Sequence, residues 1–155
     1  MDRIAFAGAA RALLLLHAAA AVVLVGSSTH HLLIVASWLR GRPRRRLLRV
    51  YAAVQGVAFA ATFSLGAFAY PAYRYFVRGL YFDRYAPWAS NLFDMKENWA
   101  ALGIPLVAAL AILSRFVDDE KEPLGPAYAL LAFLSTAIVW FSTVSGLIVT
   151  MERAP

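Results

Sequence analysis

Four long apolar blocks dominate this chain and leave few folds open to it. They cover about residues 10–39, 48–70, 99–117 and 127–150. A membrane span needs about 20 mostly apolar residues, and each block supplies enough. In hydrocarbon only a helix or a closed barrel bonds all of its own backbone, and the short alternating segments of a barrel are missing. Hydrophobic residues make up 61% of the chain, against about 45–50% in soluble domains. The expectation is an all-α integral membrane four-helix bundle forming a single domain over residues 1–155. An aromatic-rich outer connection would link helices 2 and 3.

The first block carries Arg3 and Arg11 ahead of the apolar run 12–25, the order of a secretory signal. Its apolar character resumes at 32–39 after Gly26, Ser27, Ser28 and Thr29, which makes it longer than a signal core of about 7–15 residues. It reads as a retained first span.

Arg40, Arg42, Arg44, Arg45, Arg46 and Arg49 crowd the short connection between the first two blocks. Short arginine-rich loops stay cytoplasmic. That places both termini and the 70–98 connection outside, and the turn Asp118-Asp119-Glu120-Lys121-Glu122-Pro123 inside. The net charge of +6 then serves to orient helices and meet anionic lipid, and no nucleic-acid partner is expected. Absence of cysteine removes thiolate metal sites and cysteine nucleophiles.

The outer connection interleaves Tyr70, Tyr73, Tyr75, Phe76, Tyr81, Phe82, Tyr85, Trp88 and Phe93 with Arg74, Arg78, Asp83 and Arg84. Such rings sit at headgroup level, so the segment is either an interfacial anchor or a lid over a lipid-like or quinone-like ligand. Ser90 and Asn91 read as N-caps of a helix starting near residue 91, with Asp94, Lys96 and Glu97 in its first turns. Those groups either complement the helix dipole or, with Arg84, bind a ligand or handle protons. Ala52, Gly56 and Ala60 mark a close-packing face beside Gln55, and the Ser and Thr residues of the last block another. Pro105 is expected to kink the third span, with Gly103 easing the bend.

All three histidines, His17, His30 and His31, lie in the first block. At 100° per residue, His17 and His31 return to within about 40° of one face with a rise of about 21 Å. His30 points elsewhere. Neutral imidazole is a common iron ligand, so His17, and secondarily His31 and His30, are candidate axial ligands for haem b. A second ligand would come from another chain or from Met95 or Met151. The competing reading gives His17 an internal hydrogen bond and leaves His30 and His31 as polar residues near the cytoplasmic boundary.

The run Arg11-Ala12-Leu13-Leu14-Leu15-Leu16-His17, followed by Gly26 and His30-His31, resembles the first helix of small haem-associated membrane proteins, the HemJ-like and copper-resistance CopD-like families. Lys96 resembles the lysine ahead of a later span there. The resemblance covers about the first 31 residues and that one position, and what it implies is haem ligation at His17 and, less firmly, at His31. The Tyr–His ending and surrounding arginines of the HemJ pattern are absent, so protoporphyrinogen oxidation is not implied.

No glycine-rich phosphate loop, HExxH, Gly-x-Ser-x-Gly or carboxylate pair within a span occurs. The chain therefore reads as a subunit that works with partners, not as a free-standing enzyme. Its expected role is a bacterial inner-membrane subunit carrying haem b for electron transfer in a larger complex. The alternative is a non-catalytic accessory subunit packing against other subunits, a second copy of itself, or lipid. Quinone is a further candidate ligand.

Overall fold

The computed structural model describes residues 4–42, 44–117 and 125–153. After a 3-10 turn, Ala7–Ala9, come α1 (Ala10–Leu39), α2 (Arg45–Ala72), a π-helix (Tyr73–Phe82), the single turn α3 (Asp83–Tyr85), α4 (Pro87–Leu113) and α5 (Gly125–Glu152). No strand occurs among the described residues. The acidic 118–123 turn lies outside them.

Four helices are long and apolar enough to cross a membrane. They form an antiparallel ring: α1 packs most extensively on α2, α4 packs on α5, and the α1–α5 and α2–α4 contacts close it. Short connections enforce antiparallel neighbours. At the end of α1, Gly41 adopts φ +76°, and the Gly41 and Arg42 amides donate to the carbonyls of Trp38 and Ser37. This left-handed cap suits glycine and starts the reversal into α2. Across the same end, Arg49 donates to the carbonyls of Ser114 and Arg115 (3.3 and 3.5 Å), placing a cation beside the last carbonyls of α4.

Polarity is inverted relative to a water-soluble bundle. Val57 is 73% exposed and Leu147 61%, whereas His31 is 0% and Gln55 1% exposed. Soluble proteins rarely expose so much contiguous apolar surface, and this surface is compatible with a membrane.

Three apolar clusters lie along the bundle. Val35, Leu48, Leu110, Val117, Tyr128 and Ala132 pack near the arginine-rich end. Leu24, Ala58, Phe59, Val107 and Val139 fill the middle. Tyr73, Val77, Phe82, Ala86, Ala89 and Val149 close the opposite, aromatic end.

The aromatic connection is itself helical. It continues α2 through Pro71 into the π-helix, whose i→i+5 winding turns Tyr73, Val77 and Phe82, at spacings of four and five, into the bundle. Nor do Ser90 and Asn91 cap α4. The helix begins at Pro87, where the missing N–H costs nothing because first-turn donors lack intrahelical partners. Ser90 Oγ instead donates to Asp83 Oδ1 at 2.6 Å.

α4 runs on through Pro105, and Gly103 serves packing. A Cβ there would stand 2.8 Å from Cε2 and Cζ of Phe59, so the bare backbone is what lets the α2 ring lie against α4. Gly103→Ala is expected to destabilise the bundle by about 1–3 kcal/mol, the usual cost of overpacking a core. Thermal unfolding of the detergent-solubilised protein checks this. Gly26→Ala, with nothing within 4 Å of the new carbon, is the control and should not lower the midpoint.

Candidate functional site

The clusters are separated by two polar layers, each centred on a histidine of α1. They differ in whether their hydrogen bonds close.

The layer nearer the arginine-rich end closes completely around His31. Its Nδ1–H donates to Gln55 Oε1 on α2 at 2.9 Å, and its Nε2 accepts from the Tyr128 hydroxyl of α5 at 2.9 Å. Gln55 Nε2 donates onward to Ser135 Oγ (3.2 Å), which donates to the Ala132 carbonyl (3.1 Å). Thr136 Oγ1, 2.7 Å from the Ala132 carbonyl, also lies 3.2 Å from the Ser28 carbonyl of α1. Three helices are thus bonded through buried groups, and an imidazole with one donor and one acceptor nitrogen uses both. No ring nitrogen of His31 is left for a ligand.

The layer nearer the aromatic end is different. His17 Nδ1–H donates to the backbone carbonyl of Thr62 at 2.8 Å, which fixes the tautomer and leaves the lone pair on Nε2. The ring lies against Gly66: a Cβ there would meet Cε1 at 3.1 Å and Nδ1 at 3.2 Å. Thr62 bonds its own helix at Ala58. From α4, Lys96 extends over the Phe93 ring, with Nζ 5.0 Å from the centroid, and ends against Gly146 of α5. Among the described residues no carboxylate forms an ion pair with Lys96. One turn before Gly146, the buried Ser142 Oγ has no hydrogen-bond partner, and neither has the buried Tyr73 hydroxyl, whose ring stacks on Phe93 at 4.1 Å.

His30 faces outward. Its Nδ1 bonds the Gly26 carbonyl of its own helix at 2.9 Å, and its ring stacks on Tyr51 at 5.8 Å. The outer acids and bases do not converge. Asp94 is held by both guanidinium nitrogens of Arg78 (2.6 and 2.9 Å), while Arg84 and Glu97 are exposed. Ser90 and Tyr73 are buried at this end of the bundle, and Lys96 is half-buried against α5. Met95 and Met151 are 51% and 85% exposed. Among the described residues no cluster of three or more His, Asp or Glu is placed to hold a metal ion.

Sequence reasoning missed Tyr128, Thr62, Gly66, Arg78, Tyr73 and Ser142 as members of these constellations. The face shared by His17 and His31 was the available signal. It does not reveal which partners the other helices bring. No family model, curated protein or solved structure matches the chain, so the chemistry of the site is read from its own residues.

The closed layer predicts a stability effect. Gln55→Leu leaves His31 Nδ1–H without its acceptor, at a cost of about 1–3 kcal/mol for an unsatisfied buried donor. A lower unfolding midpoint than wild type in the same detergent is the expected result.

Proposed function

We propose that this chain is a small integral membrane subunit of a bacterial inner-membrane complex, crossing the bilayer four times and carrying one b-type haem on His17. The arginine-rich loop is cytoplasmic and both termini lie outside. One observation carries the assignment to His17: Nδ1 is spent on the Thr62 carbonyl, and Nε2 keeps its lone pair. Metal-ligating histidines commonly donate the other ring N–H to a carbonyl, which orients the ring and raises its basicity.

His17 would be the one histidine of this chain to hold the iron. Every histidine of the chain is on α1, His31 has both nitrogens bonded, and His30 faces outward. Any further ligand would come from another subunit or a second copy. When bound, haem supplies one-electron redox chemistry; Thr62 and Gly66 set the ring that would hold it.

A second reading has its own support. The His31 layer braces three helices and has no free nitrogen, as a non-catalytic accessory subunit packing against partners and lipid requires.

A reduced-minus-oxidised visible spectrum, taken on protein purified from its native membranes with partners retained, decides between them. Haem on His17 predicts a Soret and α-band that His17→Ala abolishes and His30→Ala leaves in place. A flat spectrum from folded, partner-bound protein defeats the haem reading and leaves the accessory role.

A further inference from the structure

A groove at the aromatic end of α2 takes part in neither histidine layer. It is a cavity of about 460 Å³ lined by Ile4, Ala5, Tyr70, Pro71, Arg74 and Tyr75, within the range of about 300–1,000 Å³ usual for small-molecule sites. One wall is the N-terminal segment. Phe6 adopts φ +60°, uncommon for a residue with a side chain, and its ring meets Phe68 of α2 edge-on at 5.4 Å. That contact holds residues 4 and 5 beside the end of α2. The opposite wall is the continuous helix, where Tyr70 stacks on Tyr73 and Phe93 (6.4 and 6.2 Å) and Tyr75 packs edge-on against Phe76 at 5.1 Å.

The charge of the groove is one-sided. Arg74 is the one charged group among its described lining residues. Among the described residues nothing forms a hydrogen bond or ion pair with its guanidinium, and the Tyr70 and Tyr75 hydroxyls have no hydrogen bond either. Arg78, one turn on, is already taken by Asp94. A guanidinium fork matches a phosphate with two parallel bonds, and phenolic hydroxyls can donate to the remaining oxygens. No carboxylate lines the groove to meet an ammonium, so a zwitterionic head gains less than one with a single net negative charge.

Its level along the bundle points to lipid. Continuous helix carries Arg74 about 37 Å beyond Arg49 at 1.5 Å per residue. A bilayer has a hydrocarbon core of about 30 Å and measures about 40–45 Å with its headgroups. With the arginine-rich end in one headgroup layer, Arg74 stands in the other. The exposed rings of Phe6 and Phe68 continue the apolar wall of Ile4, Ala5 and Pro71, a surface suited to acyl chains and not to a water-soluble phosphate ester.

We propose that this groove binds the phosphodiester headgroup of an anionic phospholipid, with Arg74 on the phosphate, Tyr70 and Tyr75 as further donors, and the acyl chains lying along Phe6 and Phe68. The proposal rests on the membrane reading above.

The test places the full chain in phosphatidylcholine nanodiscs holding a small fraction of phosphatidylglycerol with a diazirine beside its acyl carbonyl. Illumination and peptide mapping then locate the label. Saturable labelling of residues 4–6 and 68–75 is expected, with phosphatidylcholine carrying the same diazirine at least about tenfold weaker. Arg74→Gln should reduce labelling there about tenfold or more, the effect of losing a charged hydrogen bond, while Arg84→Gln, outside the groove, stays within about twofold of wild type. Ala5→Phe, which fills the groove from an exposed position without touching its charge, should also abolish the label, so the result does not depend on one variant. His17→Ala should leave labelling intact, which separates this site from the haem assignment. Equal labelling by the two lipids, or labelling that survives both Arg74→Gln and Ala5→Phe, overturns the proposal. Displacement by glycerol phosphate as effective as by unlabelled phosphatidylglycerol overturns the lipid source. A chain that does not co-purify with the nanodisc overturns the membrane reading with it, whereas a co-purifying chain left unlabelled at the groove overturns this proposal alone.

Discussion

A bundle whose exposed surface is leucine, valine and phenylalanine has to keep its polar side chains between its helices, and every polar group placed there must find a partner. That constraint organises the whole interior. The polar residues gather in two layers between three apolar clusters, because a polar group isolated within an apolar cluster would lose its hydrogen bonds to water with nothing in return. Each layer is seeded by a histidine of α1, and the 14-residue interval separates them by almost four helical turns.

The layers meet the constraint in opposite ways. Around His31, residues from three helices saturate one another, and the result is a brace. Around His17 the balance is incomplete: Nδ1 bonds the Thr62 carbonyl, and Nε2 has no partner among the described residues. Networks with every member satisfied confer rigidity, whereas an incomplete one is a place where a bound group can supply what the chain omits. Functional assignment therefore concentrates on the second layer.

The helices were legible in the sequence to different degrees. α1 occupies the residues that its apolar run marked, and α5 extends its block by only two residues at each end. α4 was misjudged at its start because Ser90 and Asn91 have the chemistry of caps. Pro87 takes the first helical position, and Ser90 is drawn to Asp83 on the preceding turn. In the aromatic connection Arg74 and Arg84 are exposed and Arg78 reaches Asp94 of α4, while Tyr73, Val77 and Phe82, spaced by four and five residues, turn inward. As for the site, the common face of His17 and His31 was readable from their spacing. Their different fates were not, since Tyr128 stands 97 residues from His31 and Thr62 45 from His17. Local periodicity carries no record of what a distant helix will present.

The clamp between Arg78 and Asp94 ties the π-helix to α4 through two parallel bonds. Bidentate guanidinium–carboxylate pairs constrain orientation as well as distance. Asp94 lies within a turn of Lys96, so fixing its carboxylate also fixes the rotational phase of α4 about its own axis. Whether the ammonium points between the helices or away from them is then decided by a residue on the other side of the chain reversal. In that sense the aromatic segment acts as an indexing pin for the bundle, setting the angle at which Lys96 is held.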